Sequence, residues 1–144
     1  MIEQDTVRLL RECDAGIQMG ISAIDDVIDY VQNKEFRQDL VSCKNSHILL
    51  KEEIGRLLAK YHDEGKEPAI MAQCMSWLKT NVRLVMNESD QTIADLMTDG
   101  CNMGTKSLHK YLNQYQAADA LSKDIAKRLI GLEENLMTNI RKYL

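Results

Sequence analysis

The sequence predicts an all-α fold, a single-domain helical bundle, and three observations carry that prediction. The chain has 144 residues, of which 44% are hydrophobic, but it contains only one proline and seven glycines. Its apolar residues recur at alternating steps of three and four, which is the spacing of an amphipathic helix. No stretch shows the sustained period of two that predicts a strand. A chain of this length is enough for one domain with a substantial core.

The first predicted helix covers about residues 6–32, with Asp5 in position to cap its amino-terminal end. One place in its apolar seam is taken by Asp14 rather than by an apolar residue. The seam consists of Val7, Leu10, Ile17, Ile21, Ile24, Ile28 and Val31. Beside it lie the small residues Cys13, Gly16, Gly20 and Ala23. Small residues of this kind allow a neighbouring helix to approach closely.

The second predicted helix covers about residues 34–63, and a short junction near Asn33 makes it an antiparallel partner of the first. His47 interrupts an apolar seam that otherwise consists of Phe36, Leu40, Cys43, Leu50, Ile54, Leu57 and Tyr61. Gly65 favours a stop after this helix, and Pro68 prevents its continuation. Pro68 then begins a shorter predicted helix over about 68–87, which crosses from the first hairpin to the second.

The third predicted helix covers about residues 90–115, with Ser89 or Asp90 as its cap. Its inward residues are Ile93, Leu96, Met97, Gly100, Gly104, Leu108, Tyr111 and Tyr115. The fourth runs from about residue 118 to the end of the sequence. Its stripe comprises Leu121, Ile125, Leu129, Leu132, Leu136, Ile140 and Tyr143. We therefore expect one domain over residues 1–144, made of hairpins over about 6–64 and 90–144.

A short internal repeat supports this division into two hairpins. The segment Gly16–Gly20 of the first helix matches Gly100–Gly104 of the third, and the pair Glu52-Glu53 matches Glu133-Glu134. Glycine inside a helix costs about 1 kcal/mol relative to alanine. Four glycines at this spacing therefore predict close backbone packing, with space for a bound group as the alternative.

Paired hairpins, a helical crossover and an internal duplication together resemble the ferritin-like superfamily. Within it the chain is similar to a family of small bacterial ferritin-like domain proteins of unknown function. The resemblance covers nearly the whole chain. It is carried by Asp14-Ala15-Gly16 through Gly20, by Gly65 and Pro68, by Trp77-Leu78-Lys79, and by Gly100 through Tyr111. It implies a site for iron or another divalent metal, built from an inward Glu on two helices and Glu-x-x-His on the other two.

The chain departs from that metal-binding pattern. None of its three histidines has a glutamate three residues before it. Where the first and third helices should carry a glutamate, the chain has Gln18, Gly20, Asn102 and Gly104. The residues left to form an incomplete metal site are Glu53, Glu133 and His47. We therefore expect no metal, catalytic or cofactor site, and keep a di-metal carboxylate protein, iron-binding or an oxidoreductase, as the alternative.

The polar residues on inward faces are the other candidates for a site. Asp14 and His47 should lie within a turn or two of each other in the first hairpin, and Gln18 and Asn102 complete the set of buried polar candidates. A buried carboxylate has to be paired or protonated. We expect a structural polar pair that fixes the register of the helices, with ligand binding or proton transfer as the alternative. A phosphotransfer bundle that uses His47 is a further alternative, although such bundles expose their histidine.

Composition limits the remaining classes of function. The net charge of -4 and the lack of a basic stripe argue against binding to nucleic acid. No apolar run approaches the length of a membrane span, and the first residues contain no signal-peptide core. We therefore expect a cytoplasmic protein without a membrane segment. Four dispersed cysteines indicate buried, reduced thiols. The sequence thus predicts a non-enzymatic bundle that acts in binding or assembly, with a homodimer or another protein as its partner.

Overall fold

The computed structural model describes residues 2–63 and 89–144, and both ranges are almost entirely helical. The long helices are α1 (Ile2–Val27), α2 (Lys34–Lys60), α3 (Asp90–Gln114) and α4 (Ala120–Ile140). Short 3-10 turns over Ile28–Tyr30 and Arg141–Tyr143 follow α1 and α4. The two described ranges contain no strand, as predicted, and no helix in them is apolar over a length that would cross a membrane. The predicted crossover helix over about 68–87 lies outside the described residues.

Each helix packs against two or three others to form a bundle. Helix α1 contacts α2, α3 and α4, while α4 contacts α2 and α3 as well. In the described part of the chain α2 and α3 have no extensive contact, which places them diagonally opposite each other. The cyclic order around the bundle is therefore α1, α2, α4, α3.

Side-chain caps define where two of the helices begin. The side chain of Asn33 accepts a hydrogen bond from the Phe36 N–H at the start of α2. The Asp119 carboxylate accepts one from the Ser122 N–H at the start of α4. Both caps satisfy a backbone donor that has no partner inside its own helix. The start of α4 at Ala120 lies two residues later than the sequence predicted.

The predicted capping role of Asp5 is wrong, because α1 already begins at Ile2. Asp5 instead accepts a hydrogen bond from the Ala117 N–H over 3.1 Å, and the neighbouring Thr6 hydroxyl accepts one from the Asp119 N–H over 2.8 Å. These two bonds fasten the connection between α3 and α4 to the first turns of α1.

Hydrogen bonds at the two ends of the bundle fix the direction of each helix. At one end the Asp90 carboxylate accepts bonds from the backbone N–H groups of Gln32 and Asn33, over 2.8 and 2.9 Å. Helix α3 therefore begins beside the turn between α1 and α2. At the other end Arg11 of α1 is 3.0 Å from Asp63, just beyond the end of α2. The end of α2 and the start of α3 thus lie at opposite ends of the bundle.

The hydrophobic core consists of two clusters, one towards each end. The upper cluster, beside the turn between α1 and α2, comprises Ile24, Val27, Val31, Phe36, Leu40, Cys43, Ile93, Ala94, Met97, Cys101, Leu136 and Ile140. The lower cluster comprises Leu9, Leu10, Cys13, Ile17, Leu50, Ile54, Leu58, Leu108, Ala118, Ile125, Ala126, Leu129 and Ile130. Between them α2 places His47 and α4 places Glu133, so a polar pair separates the two clusters.

Candidate functional site

A cavity of about 270 Å³ lies at the middle level of the bundle. Helices α1 and α3 supply most of its wall, mainly with alanine, glycine, leucine and methionine residues, and α2 and α4 supply the inner part. Its polar or titratable lining residues are Glu12, Cys43, His47, Cys101, Ser107, Tyr111 and Glu133. The described residues that line it include no lysine and no arginine. The cavity is thus mainly apolar, with a few polar groups in its wall.

A buried pair, His47 and Glu133, forms the inner wall of this cavity. His47 is only 1% exposed, and the side chain of Glu133 is 13% exposed. Nε2 of His47 lies 3.0 Å from Oε1 of Glu133, and Nδ1 lies 2.8 Å from the backbone oxygen of Cys43. Because a carbonyl oxygen can only accept, Nδ1 carries a hydrogen. With Nε2 donating to the carboxylate as well, the ring is an imidazolium and the pair is ionic.

The surroundings of His47 stabilise this charged form. Burial has the largest single influence and lowers the pKa of His47, because a charge is poorly solvated inside the protein. The contacts with Cys43 and the hydrogen bond and charge of Glu133 all act in the other direction. Together they raise the pKa of His47 to about 10, well above its ordinary value of 6.5. His47 is therefore protonated at neutral pH.

Glycines on α1 and α3 make room for the pair. A Cβ atom at Gly20 would lie 3.0 Å from both Cδ2 and Nε2 of His47, a contact so tight that the ring would have to shift by a few tenths of an ångström. A Cβ atom at Gly104 would lie 3.7 Å from Oε2 of Glu133, an ordinary contact. Gly20 thus gives the imidazole ring its space, and Gly104 leaves the second carboxylate oxygen open towards the cavity.

The expected close backbone packing at the glycines is not what the structure shows. A Cβ atom at Gly16 would touch only the Leu129 side chain, at 3.8 Å, and one at Gly100 would meet nothing within 4 Å. Gly100 is exposed rather than inward as predicted. Since Gly16, Gly20, Gly100 and Gly104 all line the cavity, they provide space between α1 and α3. The structure therefore agrees better with the alternative prediction, in which the glycines leave space, than with close packing of the helix backbones.

The Cys101 thiol beside the pair is protonated. Burial, followed by the charge and hydrogen bond of Glu133, raises the pKa of the Cys101 thiol far above its ordinary value. Cys101 therefore donates its S–H to the Glu133 carboxylate. Burial also raises the pKa of Cys13, in the lower cluster, to about 12. Cys13, Cys43 and Cys101 are free and buried, as the sequence predicted for them, and Cys74 lies outside the described residues.

Two of the predicted buried polar residues bond to each other rather than to His47. The Gln18 amide donates to Asp14 over 2.8 Å, four residues apart on α1. Burial raises the pKa of Asp14, while the Gln18 hydrogen bond and the charge of Lys51 lower it. Asp14 is buried and Gln18 is half-buried. The expected pairing of Asp14 with His47 was wrong, because the imidazole is bonded to α4 instead.

The prediction of a buried Asn102 was also wrong, since this residue is exposed. On α3 the buried positions are Met97, Cys101 and Leu108, and the next residue after Cys101 is rotated by about 100° from that face. The Asn102 side chain therefore points away from the core, and its backbone oxygen accepts a hydrogen bond from the Thr105 hydroxyl.

Glu53, the other acidic metal candidate, lies on the outside of α2. Arg128 of α4 donates to both of its carboxylate oxygens, over 2.8 and 3.1 Å, and the Glu53 side chain is 31% exposed. These bonds lower the pKa of Glu53. No three His, Cys, Asp or Glu side chains among residues 2–63 and 89–144 are arranged to hold a metal ion. The candidates Glu53, Glu133 and His47 therefore do not form a metal centre there.

The role of Glu133 in a pair with His47 was missed, although the sequence contains a signal for it. Cys43, His47, Leu50 and Ile54 follow each other at steps of four, three and four, and so do Leu129, Glu133, Leu136 and Ile140. Glu133 thus takes a seam place just as His47 does. The predicted stripe used Leu132 instead, which is only half-buried, and included Leu121, which is 45% exposed.

Comparisons with protein-family models, with curated proteins and with solved structures find no match to this chain. The function is therefore inferred from the cavity and its lining. Two features matter most: the cavity is apolar over most of its wall, and its polar wall carries an ion pair whose imidazolium has no unused N–H.

Proposed function

We propose that this protein is a ferritin-like helical bundle that binds a small, mainly apolar ligand between α1 and α3 and does not catalyse a reaction. The observation that carries the proposal is the cavity of about 270 Å³ whose inner wall is the buried His47–Glu133 pair. Small-molecule sites are typically concave and apolar, with a few polar groups that fix orientation.

The ferritin-like arrangement is supported by the order and direction of the described helices. Helices α2 and α3 are diagonal neighbours, and α2 ends at the opposite end of the bundle from the start of α3. A bundle with one long crossover between its second and third helices has this arrangement. We propose that the predicted crossover helix over about 68–87 provides that connection.

The size of the cavity indicates the size of the ligand. An apolar cavity of roughly 150 Å³ is enough to bind benzene, so the volume here suits a ligand of about 10 non-hydrogen atoms. Keeping this space open has a cost in stability. Each glycine inside a helix costs about 1 kcal/mol relative to alanine, and four glycines line the cavity. A purely structural bundle would gain stability by filling it.

The protonation states in the cavity favour binding over catalysis. His47 is already protonated and both of its nitrogens donate within the protein, so it does not serve as a general base at neutral pH. The Cys101 thiol is held protonated beside a carboxylate, and nucleophilic cysteines need the thiolate. The same groups are well suited to hold a ligand in one orientation.

The direct test is the binding of toluene, a small apolar probe, followed by NMR. The lining methionines Met19, Met97 and Met103 provide methyl signals that report on the cavity. We expect toluene to shift these signals in a saturable manner in the wild-type protein. Replacement Gly104→Leu should abolish binding, because a side chain at this position enters the cavity beside Glu133.

The matched control is Gly131→Leu on α4, an exposed position where an added Cβ atom meets nothing within 4 Å. This variant should bind toluene as the wild type does. If toluene does not bind to the wild type, or if Gly104→Leu binds it unchanged, the proposed site is wrong.

A further inference from the structure

The ion pair presents unused acceptor capacity to the cavity and no unused N–H donor. A carboxylate has about four lone-pair sites. Within the described part of the chain, the hydrogen-bond partners of Glu133 are Nε2 of His47 and the Cys101 thiol. Both His47 nitrogens are occupied, one by Glu133 and one by the Cys43 carbonyl. A ligand that reaches this wall therefore finds an oxygen that accepts.

The charges around the cavity favour a ligand without a negative charge. Glu133 is an anion, and the described lining residues include no lysine or arginine that could pair with an anionic ligand. Among the described residues of the lining, the one cation is His47, whose charge is already balanced by Glu133 at 3.0 Å. Glu12 is a further acidic residue of the lining, but a cationic ligand would have to lose its hydration in a mainly apolar space, which is costly. A neutral group that donates a hydrogen bond avoids both costs.

The position of Oε2 makes this contact geometrically available. It lies beside Gly104, where even an added Cβ atom would be 3.7 Å away, so a small polar group fits next to it. The helix opposite has Gly20 at the same level, facing the imidazole. The contact with the ion pair is thus made at one point, and most of the remaining wall is apolar.

We propose that the cavity is specific for a small neutral alcohol, phenol or amide, whose O–H or N–H donates to Glu133 while its apolar body lies between α1 and α3. This inference rests on the proposed function, since it names the class of ligand for the same cavity. It requires that a hydrogen-bond donor, and not apolar volume alone, decides affinity.

Four probes of nearly equal size test the preference: benzyl alcohol, toluene, benzylamine and benzoate. Titration calorimetry with the wild-type protein gives their relative affinities. We expect benzyl alcohol to bind about tenfold more tightly than toluene, because hydrogen bonds to charged groups contribute more than neutral ones. Benzylamine and benzoate should both bind more weakly than benzyl alcohol.

Replacement Glu133→Gln isolates the contribution of the carboxylate. The amide keeps the shape of the side chain, but one of its ends becomes a donor, so the roughly tenfold advantage of benzyl alcohol over toluene should disappear. The matched control is Glu134→Gln, which changes the neighbouring exposed residue and should leave all four affinities unchanged.

The possible failures are distinct. If toluene binds as tightly as benzyl alcohol, or if benzylamine or benzoate binds most tightly, the ligand class is wrong while the proposed binding function stands. If none of the four probes binds, the proposed function itself fails. The wild-type series decides between these outcomes even if Glu133→Gln does not fold.

Discussion

Glu53 and Glu133 carry the same side chain in matching acidic pairs of the two hairpins, but they lie in opposite environments. Glu133 is in the middle of the bundle, where it bonds to the buried His47 and lines the cavity. Glu53 is on the outside, where Arg128 binds both of its oxygens. One ion pair is part of a candidate site, and the other is a surface ion pair.

The difference follows from position on the helix and from the available partner. Glu133 takes a seam place between Leu129 and Leu136, whereas Glu53 lies one residue before the seam residue Ile54. A step of one residue rotates a side chain by about 100° around the helix. The matching acidic pairs of the two halves therefore did not produce matching sites, since Glu52, which aligns with Glu133 in the repeat, is exposed.

The largest expected effect is the difference in unfolding free energy between two variants, each of which removes one of these carboxylates. Replacement Glu133→Ala leaves the buried His47 without its counter-charge, and breaking a buried pair in this way costs about 3–5 kcal/mol. Replacement Glu53→Ala removes an exposed ion pair, for which we expect a loss of about 0–1 kcal/mol. Urea unfolding at pH 7 gives both free energies. Equal losses for the two variants would show that the two acids are in similar environments.

The second prediction concerns the pH dependence of the buried pair. The raised pKa of His47 stabilises the fold fully below the unfolded pKa of 6.5, and this contribution is lost as the pH rises through about 10. The groups that face the pair are Cys43 on α2 and Cys101 on α3. Each unit between the folded and unfolded pKa is about 1.4 kcal/mol, so we expect a loss of a few kcal/mol.

The measurement is the difference in unfolding free energy between the wild type and Glu133→Gln, followed from pH 6 to pH 10.5. The advantage of the wild type should shrink across this window. Glu53 differs in sign as well as in size, because its pKa is lowered by Arg128. Its small contribution is present above the ordinary pKa of 4.5 and is lost as the pH falls. A wild-type advantage that is constant up to pH 10.5 would contradict an ionic His47–Glu133 pair.

The smallest expected effect is the change in stability when alanine replaces glycine at two positions. At Gly20 the His47 ring lies against the backbone, whereas at Gly131 the adjacent space is empty. At Gly20 the new methyl group would lie 3.0 Å from the His47 ring, and overpacking of this kind costs about 1–3 kcal/mol. At Gly131 it meets nothing, and alanine should stabilise the helix by up to about 1 kcal/mol. Thermal unfolding of the two variants should therefore shift in opposite directions. A Gly20→Ala variant as stable as Gly131→Ala would place the imidazole elsewhere.

The helices could be predicted from the sequence because helical periodicity is a local signal. The predicted second and third helices, over about 34–63 and 90–115, differ from α2 and α3 by no more than three residues at any end. The pair could not be predicted in the same way, since His47 and Glu133 are 86 residues apart and meet only after α2 and α4 pack. Asp14, on the same hairpin as His47, was the nearer choice along the chain, but it bonds to Gln18.

The most direct test of the ligand-binding cavity is a crystal structure grown with 4-bromobenzyl alcohol, with anomalous data collected at the bromine edge. We predict one bromine peak in the cavity between α1 and α3, with the hydroxyl group within hydrogen-bond distance of Glu133. A cavity that stays empty at a saturating concentration of the probe, or bromine found only on the outer surface, would contradict the account.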